Sequence, residues 1–418
     1  MSAYDIVIVG AGAAGIGAAL ELNNSGASFI VLEAADRVGG RAYTDKATLQ
    51  IPWDQGCHWL HSGDVNPLVQ WADQLGASYA KEERIDHFTI WQDGQFVSKE
   101  ELAEARGCTL AAFAAIETAA EEGKDVSIQD VLPDSGRWRA GVRCVMQMMA
   151  GADPEQFSTT GYCHYEDTDV NWPVLSGYGD LLSQMASTLP VRLGIRVEEV
   201  TQRSDSVEVV TTQGTIRAKA AIITVSTNVL SSSMIRFSKG PAADFLEIVH
   251  DLPCGTYEKV ALAVDTLPPE TAGKIFCMID PGTGAPAIDF QVTDTPNPVL
   301  IAHLAGSSGG ASIREGQSAM IEMATERLAL AFGNAFRKKV IAAGASGWVR
   351  NPLIRGGYSH ARPGAAHQRA LAISADTGNV VFAGEAFSPR WPGAAHGAYQ
   401  CGRDKAAEIS HALGYGRR

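Results

Sequence analysis

The stretch from Tyr4 to Glu33 constrains this chain more than any other. A short apolar run, Ile6-Val7-Ile8-Val9, turns through Gly10-Ala11-Gly12-Ala13-Ala14-Gly15 into an Ala- and Leu-rich segment, Ile16 to Leu22. A second apolar run, Phe29-Ile30-Val31-Leu32, ends in Glu33. Strand, glycine turn, helix, strand and terminal acid is the order of a dinucleotide-binding βαβ unit. Gly10 permits the tight turn, Gly12 lets a pyrophosphate approach the backbone, and Gly15 lets the helix pack closely on the strand. With Ala13 and Ala14 in the turn, the helix N-terminus offers free N–H groups and the positive end of its dipole to phosphate. Glu33 is placed to accept both ribose hydroxyls of an adenosine, and its charge disfavours the 2′-phosphate of NADP.

A chain of 418 residues is too long for one simple core and suits about two domains. Its 45% hydrophobic and 19% charged content is that of an ordinary globular protein. The first strand is reached by Asp5, no apolar run approaches the roughly 18 residues of a membrane span, and the tail His411 to Arg418 is short and polar. A soluble, cytoplasmic protein is expected. The net charge of −13 disfavours nucleic acid and anionic membranes as partners and favours a cationic substrate. Acidity that serves only solubility explains it equally well. The seven cysteines are scattered, odd in number and without a CxxC pair, which argues against a disulfide framework and against zinc. Each is expected as a small buried hydrophobe, and no metal site is expected.

The residues after Glu33 are Ala34-Ala35-Asp36-Arg37-Val38-Gly39-Gly40-Arg41. Val31 to Arg41 resembles the second motif of the FAD-dependent amine oxidase superfamily. The resemblance implies that Glu33 and Ala34 contact the cofactor, that Gly39 and Gly40 let the backbone pass close to it, and that Arg37 and Arg41 neutralise phosphate charge. Trp53-Asp54-Gln55-Gly56-Cys57-His58-Trp59-Leu60-His61-Ser62-Gly63 resembles the segment of polyamine-type amine oxidases that crosses beside the flavin ring. By that resemblance Gly56 and Cys57 lie against the ring, and His58, Trp59 and His61 face flavin or substrate. Any one of the three is as readily a packed core residue.

From Gln70 to about Trp172 no strand-turn rhythm is visible. Glu100 to Gly123 and Arg139 to Ala150 read as helices, so the region is expected as a largely helical insertion. Glu166, Asp167 and Asp169 either attract an ammonium group at a cleft mouth or sit in an exposed loop. Trp172 to Leu182 resembles the Gly-rich helix entry of the family. Val191 to Thr201 resembles the segment whose backbone, at Val197, contacts the adenine. Val207–Val210 and Thr215–Ala218 read as a hairpin about Gln213-Gly214, and Ala221 to Val225 as a buried strand. Ser226 stands where the family has a proline, a departure expected to loosen that turn.

Lys259 lies in Tyr257-Glu258-Lys259-Val260-Ala261-Leu262-Ala263-Val264, an apolar strand in which an ammonium is costly unless used or solvated. In the family this lysine holds a water against flavin N5, the role the resemblance implies. The plain alternative is a lysine protecting a sheet edge. Strands are expected between Pro286 and Leu304, and a helix from Ser318 to Ala335. Further on, Gly357 stands where monoamine oxidases carry a cysteine bonded to flavin, and Tyr358 stands at their cage aromatic. Non-covalent FAD is therefore implied, with Tyr358 as a wall of the substrate cage. The closing motif resembles Asn379 to Ala398, placing Gly384, Glu385, Gly393, Ala394 and Ala395 at the cofactor, with a helix from near Ala395 to Leu413. Ala394 stands near the second cage tyrosine of monoamine oxidases, and Trp391 is expected to supply that face.

The fold class these readings imply is α/β, a Rossmann-like FAD-binding domain interleaved with an α+β substrate domain, as in amine oxidases and p-hydroxybenzoate hydroxylase. Residues 1–75, 190–240 and 370–418 form the first domain. Residues 76–189 and 241–369 form the second, which carries the helical insertion. The implied function is oxidation of an amine C–N bond by hydride transfer to flavin, with oxygen as acceptor. Lys259, Tyr358, Trp391, His58 and Trp59 are the expected catalytic residues, and a homodimer is the default assembly. The alternatives are an L-amino-acid oxidase, which needs a carboxylate-clamping arginine such as Arg355 or Arg390, a carotenoid-desaturase or porphyrinogen-oxidase relative, and a non-catalytic flavin scaffold.

Overall fold

The structure is a computed structural model that describes residues 4–81, 88–279, 284–293 and 298–416. Tyr4–Val9 lies parallel to Phe29–Leu32 on one side and to Gly214–Ile223 on the other, with Val9 opposite Leu32 and Ile223. Val191–Arg192 extends this parallel set beyond Phe29–Leu32. Val380–Phe382 joins it beside Ala221 to Ile223. An apolar run without alternation, such as Ile6 to Val9, suits this position, because strands in such a layer are covered on both faces; Ile6, Val7 and Ile8 are wholly buried. The two segments expected after Gly214 are one strand. Its first half forms a partly exposed antiparallel ribbon with Val207–Thr211, and its second half enters the buried layer. That change of environment along one strand is why its pattern reads as two pieces.

The glycine turn starts its helix at Ala13, three residues ahead of the apolar pattern, and the helix runs Ala13–Leu22. It packs backbone to backbone on the last helix, Ala395–Ala412. A Cβ on Gly402 would stand 1.9 Å from the carbonyl oxygen of Ala14, and one on Gly17 would stand 2.3 Å from that of Tyr399. Val174, Tyr178 and Leu182, and likewise Ala242, Phe245 and Val249, fall on the substrate side of the expected boundaries but pack into this first core. Ser226 does not loosen its turn. Its Oγ accepts from the Val229 N–H and donates to the Ile354 carbonyl, capping the short helix Thr227–Leu230.

The second sheet runs in the order Val340–Ala345, Tyr257–Val264, Val299–Ala305, Ile288–Val292, Ile275–Met278, Phe88–Gln92, Gln95–Phe96. The last two strands lie in Gln70 to Trp172, the region expected as a largely helical insertion without a strand rhythm. Ile90 packs with Cys277 on one face and Trp91 with Phe276 on the other, so Phe88–Gln92 shows no alternation to detect. The helix Gln317–Phe332 covers one face of the sheet through Met320, Ala324 and Leu328. Lys99–Glu121, opened by a Ser98–Glu101 capping box, and Arg139–Ala150 form the helical part and share a core of Ala112, Ile116, Val142 and Met146. Cys163 is exposed, and Cys57 and Cys108 are half-buried, so the cysteines are not uniformly core residues. Among the described residues no helix is long and apolar enough to cross a membrane.

Candidate active site

Two glycine loops face each other at the C-terminal end of the first strand. The Gly39 N–H donates to the Ala11 carbonyl (2.8 Å). A Cβ on Gly40 would lie 3.3 Å from Gly12 Cα, and one on Gly15 would lie 1.9 Å from the Gly10 carbonyl oxygen. Side chains at these positions would fill the groove that a pyrophosphate needs. The helices beginning at Ala13 and at Ala395 have no side-chain cap on their first N–H groups, which leaves those donors for an anionic ligand. Glu33 is pinned by the N–H groups of Ala11 (2.7 Å) and Ala35 (2.8 Å), and its remaining lone pairs are open to ribose hydroxyls. Gly194 and Ile195 donate to the carbonyls of Ala35 and Glu33, so the chain entering Val197–Gln202 runs alongside Glu33 and Ala34. The donor set and the cradle fit a dinucleotide cofactor.

Arg37 and Arg41 part company in the structure. Arg37 donates to the carbonyls of Val38 (3.0 Å) and Gly40 (2.8 Å), and its guanidinium stacks 4.3 Å from the Tyr43 ring. It braces the glycine pair. Arg41 donates to the carboxylate of Glu385 (2.8 Å) and to the Gly357 carbonyl. Glu385, 5% exposed, also accepts from Ser359 Oγ (2.6 Å), the Ser359 N–H (3.2 Å) and the Gly393 N–H (3.0 Å). Burial works against its charge, but Arg41 and these donors hold the Glu385 carboxyl below the usual range. Three separate stretches of sequence meet at this one carboxylate.

The segment Trp53 to Trp59 forms a strap held through its carbonyls. Lys259 Nζ donates to those of Gly56 (2.7 Å) and Asp54 (3.3 Å), and Trp348 Nε1 donates to that of Gln55 (2.9 Å). A Cβ on Gly56 would stand 1.8 Å from the Arg41 carbonyl oxygen, so only glycine lets the strap lie there. Cys57, beside it, donates its N–H to the same carbonyl (3.4 Å). Asp54, 4% exposed, accepts from Thr44 Oγ1 (2.6 Å) and the Tyr178 N–H (3.0 Å), and pairs with His58 Nδ1 (2.8 Å). That contact fixes the His58 ring, and among the described residues its other nitrogen has no hydrogen-bond partner. Trp59 pairs with Pro173 and sets its ring edge-on to His58 at 5.4 Å.

Lys259 sits inside the sheet, on a strand paired along both sides, and is 6% exposed. It is not an edge guard. Burial lowers its pKa, opposed by the charge of Asp54. Glu258 points the opposite way and accepts from the N–H groups of Trp348 (3.0 Å) and Val349 (2.8 Å) and from Ser346 Oγ, with its pKa raised by burial. Adjacent acid and base thus anchor two loops from opposite faces of one strand.

Among the described residues no ring contact joins Trp391 to Tyr358; the Trp391 ring meets the Arg390 guanidinium (4.4 Å) and the tilted His396 ring (4.8 Å). The ring beside Tyr358 is Tyr257, 5.5 Å away and tilted by 45°. Tyr358 donates its hydroxyl to the Met148 carbonyl, and Tyr257 shares a hydrogen bond with His303 Nδ1 (2.9 Å). Tyr257 went unnoticed in the sequence, although it precedes Lys259 by two residues in a strand and must share its face. His61 is exposed by area and held by Asn171 Oδ1 (2.5 Å), but burial lowers its pKa and the charges of His58 and Lys259 reach it, so it borders this group. Glu166 pairs with Arg390 (2.7 Å), both half-exposed. Among the described residues no group of three or more His, Cys, Asp or Glu side chains is placed to hold a metal ion.

The sequence model of the family described as "Flavin containing amine oxidoreductase" matches residues 13–137 and 148–410. The chain belongs to that family. It is a FAD-dependent oxidoreductase that oxidises amines. Among similar proteins are polyamine oxidase 4 of Oryza sativa subsp. japonica, 25% identical over 95% of this chain and 86% of that one, and polyamine oxidase 2 of Arabidopsis thaliana, 26% identical over the same shares. The human lysine-specific histone demethylase 2 is 25% identical over 97% of this chain and 53% of its own length. Cyclohexylamine oxidase from Brevibacterium oxydans IH-35A shares the fold with a TM-score of 0.77, at 20% identity, over 98% of this chain and 99% of that chain.

Two buried histidines make the amine oxidase acid-sensitive. Burial pushes the His360 imidazole down to about 4 and that of His396 down to about 3. Both folded-state values lie below the unfolded value of about 6.5. Each therefore contributes stability that is whole above pH 6.5 and is lost as pH falls toward the folded values. The expected loss is about 2 kcal/mol per histidine between pH 7.5 and pH 5. Urea unfolding followed by tryptophan fluorescence at the two pH values measures it. A stability unchanged at pH 5 would mean that the imidazoles reach water.

Proposed function

We propose that this amine oxidase removes a hydride from the carbon next to a neutral amine nitrogen, releasing an iminium that hydrolyses to aldehyde or ketone, with oxygen as the electron acceptor. The observation that carries this reading is the position of Lys259 and Tyr257 on one strand face, with Tyr358 alongside and the Gly56 strap across the lysine. The flavin supplies the hydride acceptor when bound. Residues 1–75, 190–240 and 370–418, with the segments 174–182 and 242–249 that pack into the same core, are proposed as the FAD-binding part, and the remainder of 76–189 and 241–369 as the substrate-binding part.

The chain's own groups have separable tasks. Gly10, Gly12, Gly15, Gly39 and Gly40 admit the pyrophosphate, and Glu33 and Val197 hold the adenosine end. Gly384, Glu385 and Gly393 to Ala395 close the site around the rest of the cofactor, while Arg41 keeps Glu385 charged. Tyr358 and Tyr257 form the walls that align the amine and exclude water. Lys259 spends two N–H bonds on the strap and keeps a third for a water. His58, oriented by Asp54, is assigned to the substrate side through its other ring nitrogen. An ammonium ion has no lone pair to assist departure of hydride, so the rate should rise with pH through the amine's own ionisation. Gly357 at the place of the family's attachment cysteine supports non-covalent FAD.

An L-amino-acid substrate would need a free arginine beside Tyr358. Arg390 is paired with Glu166 and Arg355 is exposed, so neither favours that reading. Anaerobic stopped-flow mixing with primary amines, secondary amines, polyamines and L-amino acids tests the proposal. Bleaching of the flavin by amines, with amino acids inert and with acid releasing free FAD, is expected. Bleaching by amino acids alone would replace it with the alternative, and flavin that stays bound after acid would overturn the non-covalent attachment.

A further inference from the structure

Three histidines lie within reach of the Lys259 ammonium. Burial, then the charges of Lys259 and His58, push His303 well below the usual imidazole range. Burial also lowers His61, and the charges of His58 and Lys259 act on it in the same sense. The three rings differ in what their Nδ1 atoms meet. His303 meets the Tyr257 hydroxyl (2.9 Å), His61 the side-chain oxygen of Asn171 (2.5 Å), and His58 the carboxylate of Asp54 (2.8 Å). A carboxylate only accepts, so His58 carries its hydrogen on Nδ1 and a lone pair on Nε2. A proton added at that Nε2 makes a charge that is already paired. At His61 or His303 the added charge would face a neutral partner.

Asp54 is reserved for this ring. Lys259 bonds the carbonyl of Asp54 and not its carboxylate. Among the described residues His58 is the one cationic side chain at ion-pair distance from that carboxylate, whose other donors, Thr44 Oγ1 (2.6 Å) and the Tyr178 N–H (3.0 Å), are neutral. The Asp54 side chain is 3% exposed and that of His58 20%, so the pair is open only at the imidazole. Other titratable groups near the pair are Cys57 of the strap, His61, Tyr178 of the helix Tyr178–Met185, Lys259 of Tyr257–Val264 and His303 of Val299–Ala305. The remaining polar groups of the site are committed. Lys259 holds two carbonyls, Glu385 is paired with Arg41, and burial raises both Tyr257 and Tyr358.

We infer that His58, backed by Asp54, is a catalytic base that takes the proton from the substrate's ammonium group. This rests on the amine-oxidising reading of the same site, which requires a neutral nitrogen. An alkylammonium ionises near the lysine value of about 10.4, so roughly one molecule in a thousand is neutral at neutral pH. An acceptor inside the site lets the enzyme use the abundant form. The ammonium N–H bond breaks, its electron pair stays on nitrogen, and the proton bonds to Nε2. Hydride then leaves the neighbouring carbon with that lone pair assisting. Reduction of oxygen to hydrogen peroxide consumes the hydride and one proton, so the proton stored on His58 closes the cycle. Oxidation therefore sets in below the pH at which the free amine accumulates.

The test follows anaerobic flavin reduction by the primary amine that bleaches the wild type fastest, in wild type and in His58→Gln, which keeps a donor for Asp54. The variant should be about 100-fold slower at pH 7.5 and within about threefold of the wild type at pH 10, where the neutral amine is plentiful. An equal deficit at both pH values would mark a structural histidine and overturn the inference, as would an undiminished rate at pH 7.5. A second measurement needs no turnover. In the dithionite-reduced holoenzyme with isotope-labelled histidine, the ring resonance missing from His58→Gln should be the first of the three to take up a proton as pH falls. Protonation of His61 or His303 ahead of it overturns the inference. Failure of every amine to bleach the wild-type flavin would instead sink the amine-oxidation reading beneath it.

Discussion

Replacing Glu385 by alanine is expected to lower the stability of the holoenzyme by about 3 kcal/mol and to leave much of the purified protein without flavin. Glu385 holds Arg41, Ser359 and Gly393 at once, through four hydrogen bonds between 2.6 and 3.2 Å. Removing it strands a guanidinium whose side chain is 25% exposed, so part of the penalty is relieved by water. The loss is not confined to one contact. Arg41 donates to the Gly357 carbonyl beside Tyr358, and its own carbonyl lies under Gly56. A shift of Arg41 thus reaches both the strap and the aromatic wall.

Denaturant unfolding with flavin absorbance as the second probe measures both effects. Glu385→Gln keeps the acceptor for Ser359 and should lose less than alanine, because only the charge goes. The pH dependence has a definite sign. The folded pKa of Glu385 is depressed by Arg41, so its contribution is present above the unfolded value of about 4.3 and disappears as pH falls through the folded one. Equal stability of Glu385→Ala and wild type at pH 7.5 would show that the cluster is incidental.

The first βαβ unit was legible because its constraints are local. Gly10, Gly12 and Gly15 answer to contacts within a few residues or with the adjoining strand, and the helix and strand follow directly in sequence. The substrate sheet was harder to read. Phe88–Gln92 joins Ile275–Met278 across a long stretch of chain, and neither face of it is exposed to give a period of two. The site divides in the same way. Lys259 stood out because an ammonium in an apolar strand demands a use. Tyr257 did not, since a tyrosine at a strand start is unremarkable until Tyr358 arrives beside it from a distant part of the chain. Trp391 is the converse case, a conspicuous aromatic in a cofactor motif whose ring contacts are with Arg390 and His396.

Lys259→Met is expected to slow reoxidation of the reduced enzyme by oxygen about 100-fold while amine affinity changes little. Methionine keeps much of the volume and removes the charge. A fixed cation in a buried site stabilises negative charge as it develops on a reacting oxygen, and it does so without reorganisation because Asp54 and Gly56 already hold the ammonium. The same substitution leaves those two carbonyls unpaired, at a cost of about 1–3 kcal/mol for each that water cannot reach. Structural and chemical roles therefore separate by measurement. Unfolding and flavin content report the strap, whereas the oxygen dependence of kcat/KM, set against the amine dependence, reports the charge. A variant that loses stability but reoxidises at the wild-type rate would reduce Lys259 to a strut for the strap. A variant that is stable and slow only toward oxygen would place the function of Lys259 at its free N–H, on the side of the strand that Tyr257 shares.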